Sequence, residues 1–234
     1  QSPRSWAEYR EVLPLLGRRF RAIAMDTVGF GDPAPPPWPP SIERWARVAV
    51  ELLDALGIAR AYVVGHHTGG VIAVELAASF GQRVGALVLS STPYTNEAFR
   101  AARAQRPPID AVDHRGDGSH LVQMWRNRQG FYPSARPDLL QAFVLDGLKA
   151  SGDIEGGPPA VASLRMGDPI GRVTQPVLLV RALKDPFASP HADELAAHLR
   201  DARIVDIEEG MVPLPDQLPE AFAGAVLDFL ESLE

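Results

Sequence analysis

Cysteine is absent from these 234 residues, which rules out disulfides, thiolate catalysis and cysteine-ligated zinc sites. The redox compartment is therefore unreadable. An excess of basic charge is also absent: the formal charge is −6, whereas a surface that holds phosphates needs a basic face. That argues against nucleic acid as a partner. No apolar run approaches the roughly 20 residues of a membrane span. The longest, 71–78, is interrupted by Glu75, so no membrane association is expected. Glycine and proline number 20 and 22, too few over this length to signal general disorder. The chain opens at Gln1 with no visible secretory signal, which leaves the cytoplasm as the default location.

What is present is an alternation of short β-rich runs with helical periodicity, the pattern of a mostly parallel sheet covered by helices on both faces. Ser5 and Glu8 have the spacing of a capping box, ahead of Trp6, Tyr9, Leu13 and Leu16 at helical intervals. Residues 20–25 read as a strand, and the proline-dense 32–40 as a rigid loop. Ser41 can cap a helix striped by Trp45, Val48, Leu52 and Leu56. A strand at 62–64 turns through glycines into 71–80, which is apolar nearly all round and so expected to be a buried helix. A strand at 84–89 follows. From 93 to 173 only helical fragments appear (98–105, 121–129, 139–149), separated by Gly/Asp-rich breaks at 115–118 and 152–159. Alternation resumes with a strand at 177–183, a helix expected to be capped by Ser189, a strand at 204–207 and a closing helix bearing Phe222, Val226, Phe229 and Leu233. The expectation is an α/β core of residues 1–92 and 174–234, with five strands, interrupted by a helical insertion at 93–173.

Between the strand at 62–64 and the helix after it lies Gly65-His66-His67-Thr68-Gly69-Gly70, of the form G-x-Nuc-x-G, with His67 in the central slot. Glycines suit a strained strand-to-helix corner where side chains would collide with backbone, an expectation for both Gly65 and Gly69. Further segments extend the match. Asp26-Thr27-Val28-Gly29-Phe30-Gly31-Asp32 has a D-x-x-G-x-G loop with Pro33 where serine is usual; Pro176 to Pro186 has the form P-V-L with a later Asp-Pro; Glu209 to Phe222 has a Gly-containing turn followed by P-E-x-F. Together these resemble the cap-bearing branch of the α/β-hydrolase-fold superfamily over nearly the whole chain apart from the helical insertion at 93–173.

The resemblance implies a cap formed by 93–173, a triad acid at Asp185, an oxyanion-hole amide at Thr68, and elbow glycines at Gly65, Gly69 and Gly70. It also implies that the nucleophile serine is replaced by His67 and the triad histidine by Met211. Without a hydroxyl and its imidazole base, the usual serine relay cannot run. A strand normally precedes the equivalent of Gln1, between those at 20–25 and 62–64, so a segment ahead of Gln1 is expected. An imidazole reaches farther than a hydroxymethyl, so His67 is expected to meet Asp185 directly and work as a general acid/base on a small, largely apolar molecule. Water-activated hydrolysis, lyase or cyclase chemistry, covalent catalysis by His67 and ligand binding without turnover all stay open. His66, Met211, Trp125 and Tyr132 are candidate pocket residues. His114, Asp117 and His120 sit in a loop that reads as solvated, so no metal is expected, and no cofactor.

Overall fold

A computed structural model describes residues 2–30, 38–150 and 157–234. Gly31, Asp32, Pro33, most of the proline run and part of the 152–159 break lie outside the described residues. In chain order the elements are α1 (Val12–Leu16), α2 (Ile42–Ala55), β1 (Ala61–His66), α3 (Thr68–Ser79) and β2 (Val84–Ser90). Helices α4 (Glu97–Ala104), α5 (Ser119–Arg128), α6 (Pro137–Lys149), α7 (Gly157–Ser163) and α8 (Gly167–Ile170) follow. Then come β3 (Val177–Ala182), α9 (Ala192–His198), β4 (Ala202–Ile207), α10 (Leu214–Gln217) and α11 (Pro219–Glu231).

The strands form one parallel sheet in the order β1-β2-β3-β4. Parallel strands need helical crossovers, which bury both faces, so the central strands read as continuous apolar runs. Alternate residues point to opposite faces. Leu87, Leu89 and Leu179 pack with Trp45 of α2 and Val74 of α3, while Val88, Leu178 and Val180 pack with Val12 of α1 and Phe222 and Val226 of α11. α3, flanked by α2 and sheet, buries Val71, Ala73, Val74, Leu76 and Ala77, as its uninterrupted apolarity requires. The one acid on it, Glu75, is buried and accepts a hydrogen bond from Ser79 Oγ at 2.5 Å.

Three local expectations are corrected. Residues 20–25 form no strand, although they alternate in exposure as one would; among the described residues no ladder partner lies beside them. A strand exists by virtue of its pairing, and apolar alternation alone does not supply it. The Ser5/Glu8 capping box does not close. Ser5 Oγ accepts from the Ala7 N–H of a short 3-10 turn, but Glu8 is buried near His66, and the Ser5 N–H donates to Asp146 instead. Ser189 opens a 3-10 turn, Ser189–His191, that leads into α9, rather than capping a helix.

Candidate active site at the strand ends

All the candidate residues lie at or beyond the carboxyl ends of the four strands, where the loops of a parallel sheet converge. β1 ends at His66, and the chain turns at His67 with φ 47° and ψ −114°, a positive φ rarely adopted by a residue with a side chain. The corner is tied down by backbone. His67 N–H donates to Ser90 O at the end of β2 at 2.9 Å, and His67 O accepts from the N–H groups of Gly70 and Val71.

The glycines around it have distinct reasons. A Cβ at Gly65 would lie 2.3 Å from Gly69 O and 2.6 Å from Gly70 N, so only glycine lets the strand pass the first turn of α3. A Cβ at Gly70 would strike Thr92. At Gly69 nothing lies within 4 Å, so the expected collision there does not occur. The sequence pattern cannot distinguish a glycine required by contact from one that is merely tolerated.

His67 Nε2 stands 2.8 Å from Asp185 Oδ2, with Asp185 fully buried and the His67 side chain only 12% exposed. The N–H direction does not point along the line to the oxygen, so this is a close charge approach rather than an aligned hydrogen bond. Asp185 Oδ1 accepts from the Phe187 N–H at 2.9 Å, which fixes the carboxylate. Burial pushes the Asp185 carboxyl upward, but the His67 imidazole beside it and the Phe187 amide more than offset this and hold it below the usual value. Asp185 therefore stays ionised in a dry setting.

His66 has a different task. Its Nε2 is 2.9 Å from Val212 O and its Nδ1 is 2.9 Å from Ser90 Oγ. A carbonyl can only accept, so Nε2 carries the proton and Nδ1 accepts from the serine hydroxyl. The ring thus ties the elbow to the end of β2 and to the loop after β4. Burial, then the neighbouring His67 ring, hold its pKa well below the usual imidazole value, consistent with a neutral ring. The two rings meet edge-on with centroids 4.5 Å apart.

Other candidates are not drawn into one pocket. Tyr132 packs with Phe143, Leu139, Leu140 and Val212, and half-buried Trp125 joins this cluster. Phe131 contacts Phe187, centroids 4.6 Å apart. These aromatics therefore bind α5 and α6 to the loops carrying Asp185 and Val212. Met211 donates its N–H to Gln217 Oε1, which shapes the loop after β4. A cavity of about 510 Å³ runs along β1 to Gly65, His66, Thr68 and Gly69; His67, Asp185, Met211, Trp125 and Tyr132 are not in its lining. His114 and His120 stack at 5.2 Å, but among the described residues no group of three or more potential ligands is gathered for a metal. No described helix is long and apolar enough to cross a membrane.

Sequence reasoning missed a buried ionic cluster beside the elbow. Arg4 pairs with Asp216 and, at 3.0 Å, with Asp146 of α6, and Glu8 lies within 3.9 Å of His66 Nε2. Arg4 and Glu8 are near in sequence, but Asp146 and Asp216 lie far along the chain, so no local spacing signals the cluster.

The family model described as "Alpha/beta hydrolase family" matches residues 1–225. Among curated proteins, the chain is 36% identical to bifunctional epoxide hydrolase 2 of Mus musculus over 98 residues, covering 39% of this chain and 17% of that protein. It is 24% identical to haloalkane dehalogenase 2 of Mycobacterium tuberculosis (strain H37Rv) over 245 residues, covering 94% of this chain and 82% of that one. The solved enol-lactonase from Burkholderia xenovorans LB400 superposes with a TM-score of 0.80 at 21% identity, covering 99% of this chain and 88% of the other. The chain thus spans only a small part of the mouse protein, while its fold follows that of the enol-lactonase almost throughout.

Proposed function

The chain belongs to the alpha/beta hydrolase family, and on that premise we propose that it hydrolyses a small, largely apolar molecule through a His67–Asp185 dyad in place of a serine triad. The observation that carries this is the 2.8 Å approach of His67 Nε2 to a fully buried Asp185. With Nε2–H turned toward the carboxylate, Nδ1 holds the lone pair. It takes a proton from water, the hydroxide adds to the electrophilic carbon of the substrate, and the imidazolium returns the proton to a departing oxygen or, where chloride leaves as the anion, releases it to solvent. Asp185 orients the ring and stabilises its charged form without itself taking the proton, as carboxylates do in acid–base triads. Rotation of the ring aligns the N–H with the carboxylate, and such bonds commonly tighten when substrate binds. In this reading the amide of Thr68, in the first turn of α3, donates to negative charge developing on the substrate.

In this reading His67 and Met211 stand where serine and histidine act in relatives, and residues 93–173 form a cap over the strand ends. Support for the cap comes from the aromatic cluster that seats α5 and α6 on the loops after β3 and β4. The substrate class follows the names of similar proteins, an epoxide hydrolase, a haloalkane dehalogenase and, in the superposed structure, an enol-lactonase.

The test is turnover of styrene oxide, 1-chlorobutane and a simple enol lactone by the protein and by His67→Ala and Asp185→Asn. Turnover of at least one substrate is expected. His67→Ala should lose it by about 100-fold or more, the range of a general base. No turnover of any of the three, or turnover undiminished in His67→Ala, overturns the proposal.

A further inference from the structure

Helix α6 meets the chain beneath it through two contacts of opposite character. One is apolar: Leu139, Leu140 and Phe143 pack with Tyr132 and Val212. The other is a single buried oxygen. Asp146 Oδ2 accepts from the Ser5 N–H at 3.2 Å and from Ser5 Oγ at 3.3 Å, and it lies 3.0 Å from Arg4 Nη1. Both side chains of the ion pair are buried, where charge acts more strongly than at the surface. Arg4 is shared, however. Its Nη2 donates to Asp216 Oδ2 of α10, whereas Nη1 faces Asp146 without an aligned N–H. Asp216 therefore has the better-formed of the two bonds.

Glu8, also buried, brings a third carboxyl group beside this one guanidinium. The surroundings supply no second cation. Burial pushes the phenols of Tyr9 and Tyr132 up, so both stay protonated, and His66 is held neutral. Arg128 is paired with Asp110, and Arg136, at the start of α6, is exposed and paired with Asp138 at 2.8 Å. Ionisation of all three acids thus leaves the cluster with an excess of buried negative charge, which is costly.

We propose that Arg4 is a latch shared between Asp146 and Asp216, and that loss of the Asp216 proton releases α6 from the chain beneath it. Asp146 is the acid free to leave. Glu8 sits in the 3-10 turn Trp6–Tyr9, whose Tyr9 packs edge-on against Phe222, and Asp216 sits in α10 beside buried Leu214 and Pro215. The outer face of α6 is open to water, with Leu145 and Leu148 exposed, so its departure uncovers only its inner face. Burial, opposed by Arg4 and reinforced by Glu8 and Asp146, pushes the Asp216 carboxyl up to about 7 from an ordinary 3.8. Opening that admits water lets this proton go, so closure weakens as pH rises toward the raised value and levels off above it. A full return to 3.8 on opening shifts the opening equilibrium about tenfold between pH 6 and pH 8. Because α6 shares its apolar cluster with Phe187, its release also frees the loop of Asp185. That consequence for access to the site rests on the proposed dyad; the release itself does not.

The test is hydrogen exchange in the parent, Asp216→Asn and Asp146→Asn at pH 6 and pH 8, with rates corrected for the pH dependence of free amides. In the parent, amides 142–148 should exchange about tenfold or more faster than those of α11, and their protection should fall about three- to tenfold from pH 6 to pH 8. Asp216→Asn should hold one level at both pH values. Asp146→Asn, which leaves Ser5 an acceptor but takes the charge from Arg4, should show at pH 6 the protection that the parent has at pH 8. Equal protection of α6 and α11 means that α6 opens only with the whole protein, and overturns the proposal. So does α6 protection in the parent that is unchanged by pH, or a fall that persists in Asp216→Asn. If Asp216→Asn does not fold, Asp146→Asn decides: protection at pH 6 equal to the parent's overturns the latch.

Discussion

His67 is held at φ 47° by three backbone hydrogen bonds and by glycines chosen for different reasons. A strained non-glycine residue of this kind persists only where its surroundings over-determine it, at a cost of order 1–3 kcal/mol. Gly65→Ala places a methyl 2.3 Å from Gly69 O, which is backbone and cannot step aside. We expect it to lose about 1–3 kcal/mol or more of stability in urea denaturation, as overpacked sites do. Gly69→Ala meets open space inside a helix, so it should stay within about 1 kcal/mol of the parent, on the stabilising side. Similar losses from both substitutions would show that the elbow's glycines act through something other than close approach. His67 could be picked out in the sequence because its slot between strand and helix is defined by nearest neighbours. The glycine roles could not, because Thr92 and the first turn of α3 come close only in three dimensions.

At the scale of elements, α5 and α6 rest on the loops after β3 and β4 through a compact aromatic contact. Phe143 of α6 is fully buried against Tyr132, 5.7 Å between centroids, and its cluster includes Val212. Phe143→Ala should cost about 3–5 kcal/mol, the range for removing a buried phenylalanine. Because Phe187, two residues beyond Asp185, packs against the same cluster, the loop holding the acid should loosen with it. Hydrogen exchange across 183–189 measures this, and unchanged protection there would mean the loop is held by its own turns alone. Helical periodicity located α5 and α6 to within a few residues, since that signal is local. The stretch 20–25 failed for the opposite reason: strand formation depends on a partner, and the described fold puts none beside it.

For the molecule as a whole, pH acts through opposed buried acids. Burial, opposed by Arg4 but reinforced by Glu8, pushes the Asp216 carboxyl up to about 7, against an ordinary value of 3.8. Between those values the folded protein keeps a proton that the unfolded chain has released. Raising pH through that window therefore costs stability, because the folded state then binds more protons. Asp185 has the reverse sign. Its carboxyl is lower when folded, so its contribution is present above 3.8 and is lost as pH falls through the folded value. In the same window buried His66, held below its usual value, adds the opposite sign in both proteins, so we expect Asp216→Asn to shift the change in urea midpoint between pH 5 and pH 7.5 upward relative to the parent. Parallel slopes in the two proteins would remove Asp216 as the cause.

Local sequence was enough to specify the parallel α/β class, the four paired strands, the helices between them and the corner bearing His67, because periodicity, glycine placement and apolar runs act over a few residues. The role expected of Asp185 came from the family resemblance instead. The 2.8 Å meeting of His67 with Asp185, the neutral tautomer of His66 and the Arg4 cluster came from tertiary structure, since each joins residues distant along the chain. So did the cavity beside β1. Apolar sequence can show that a segment would favour burial, but only the packed fold shows whether anything lies against it.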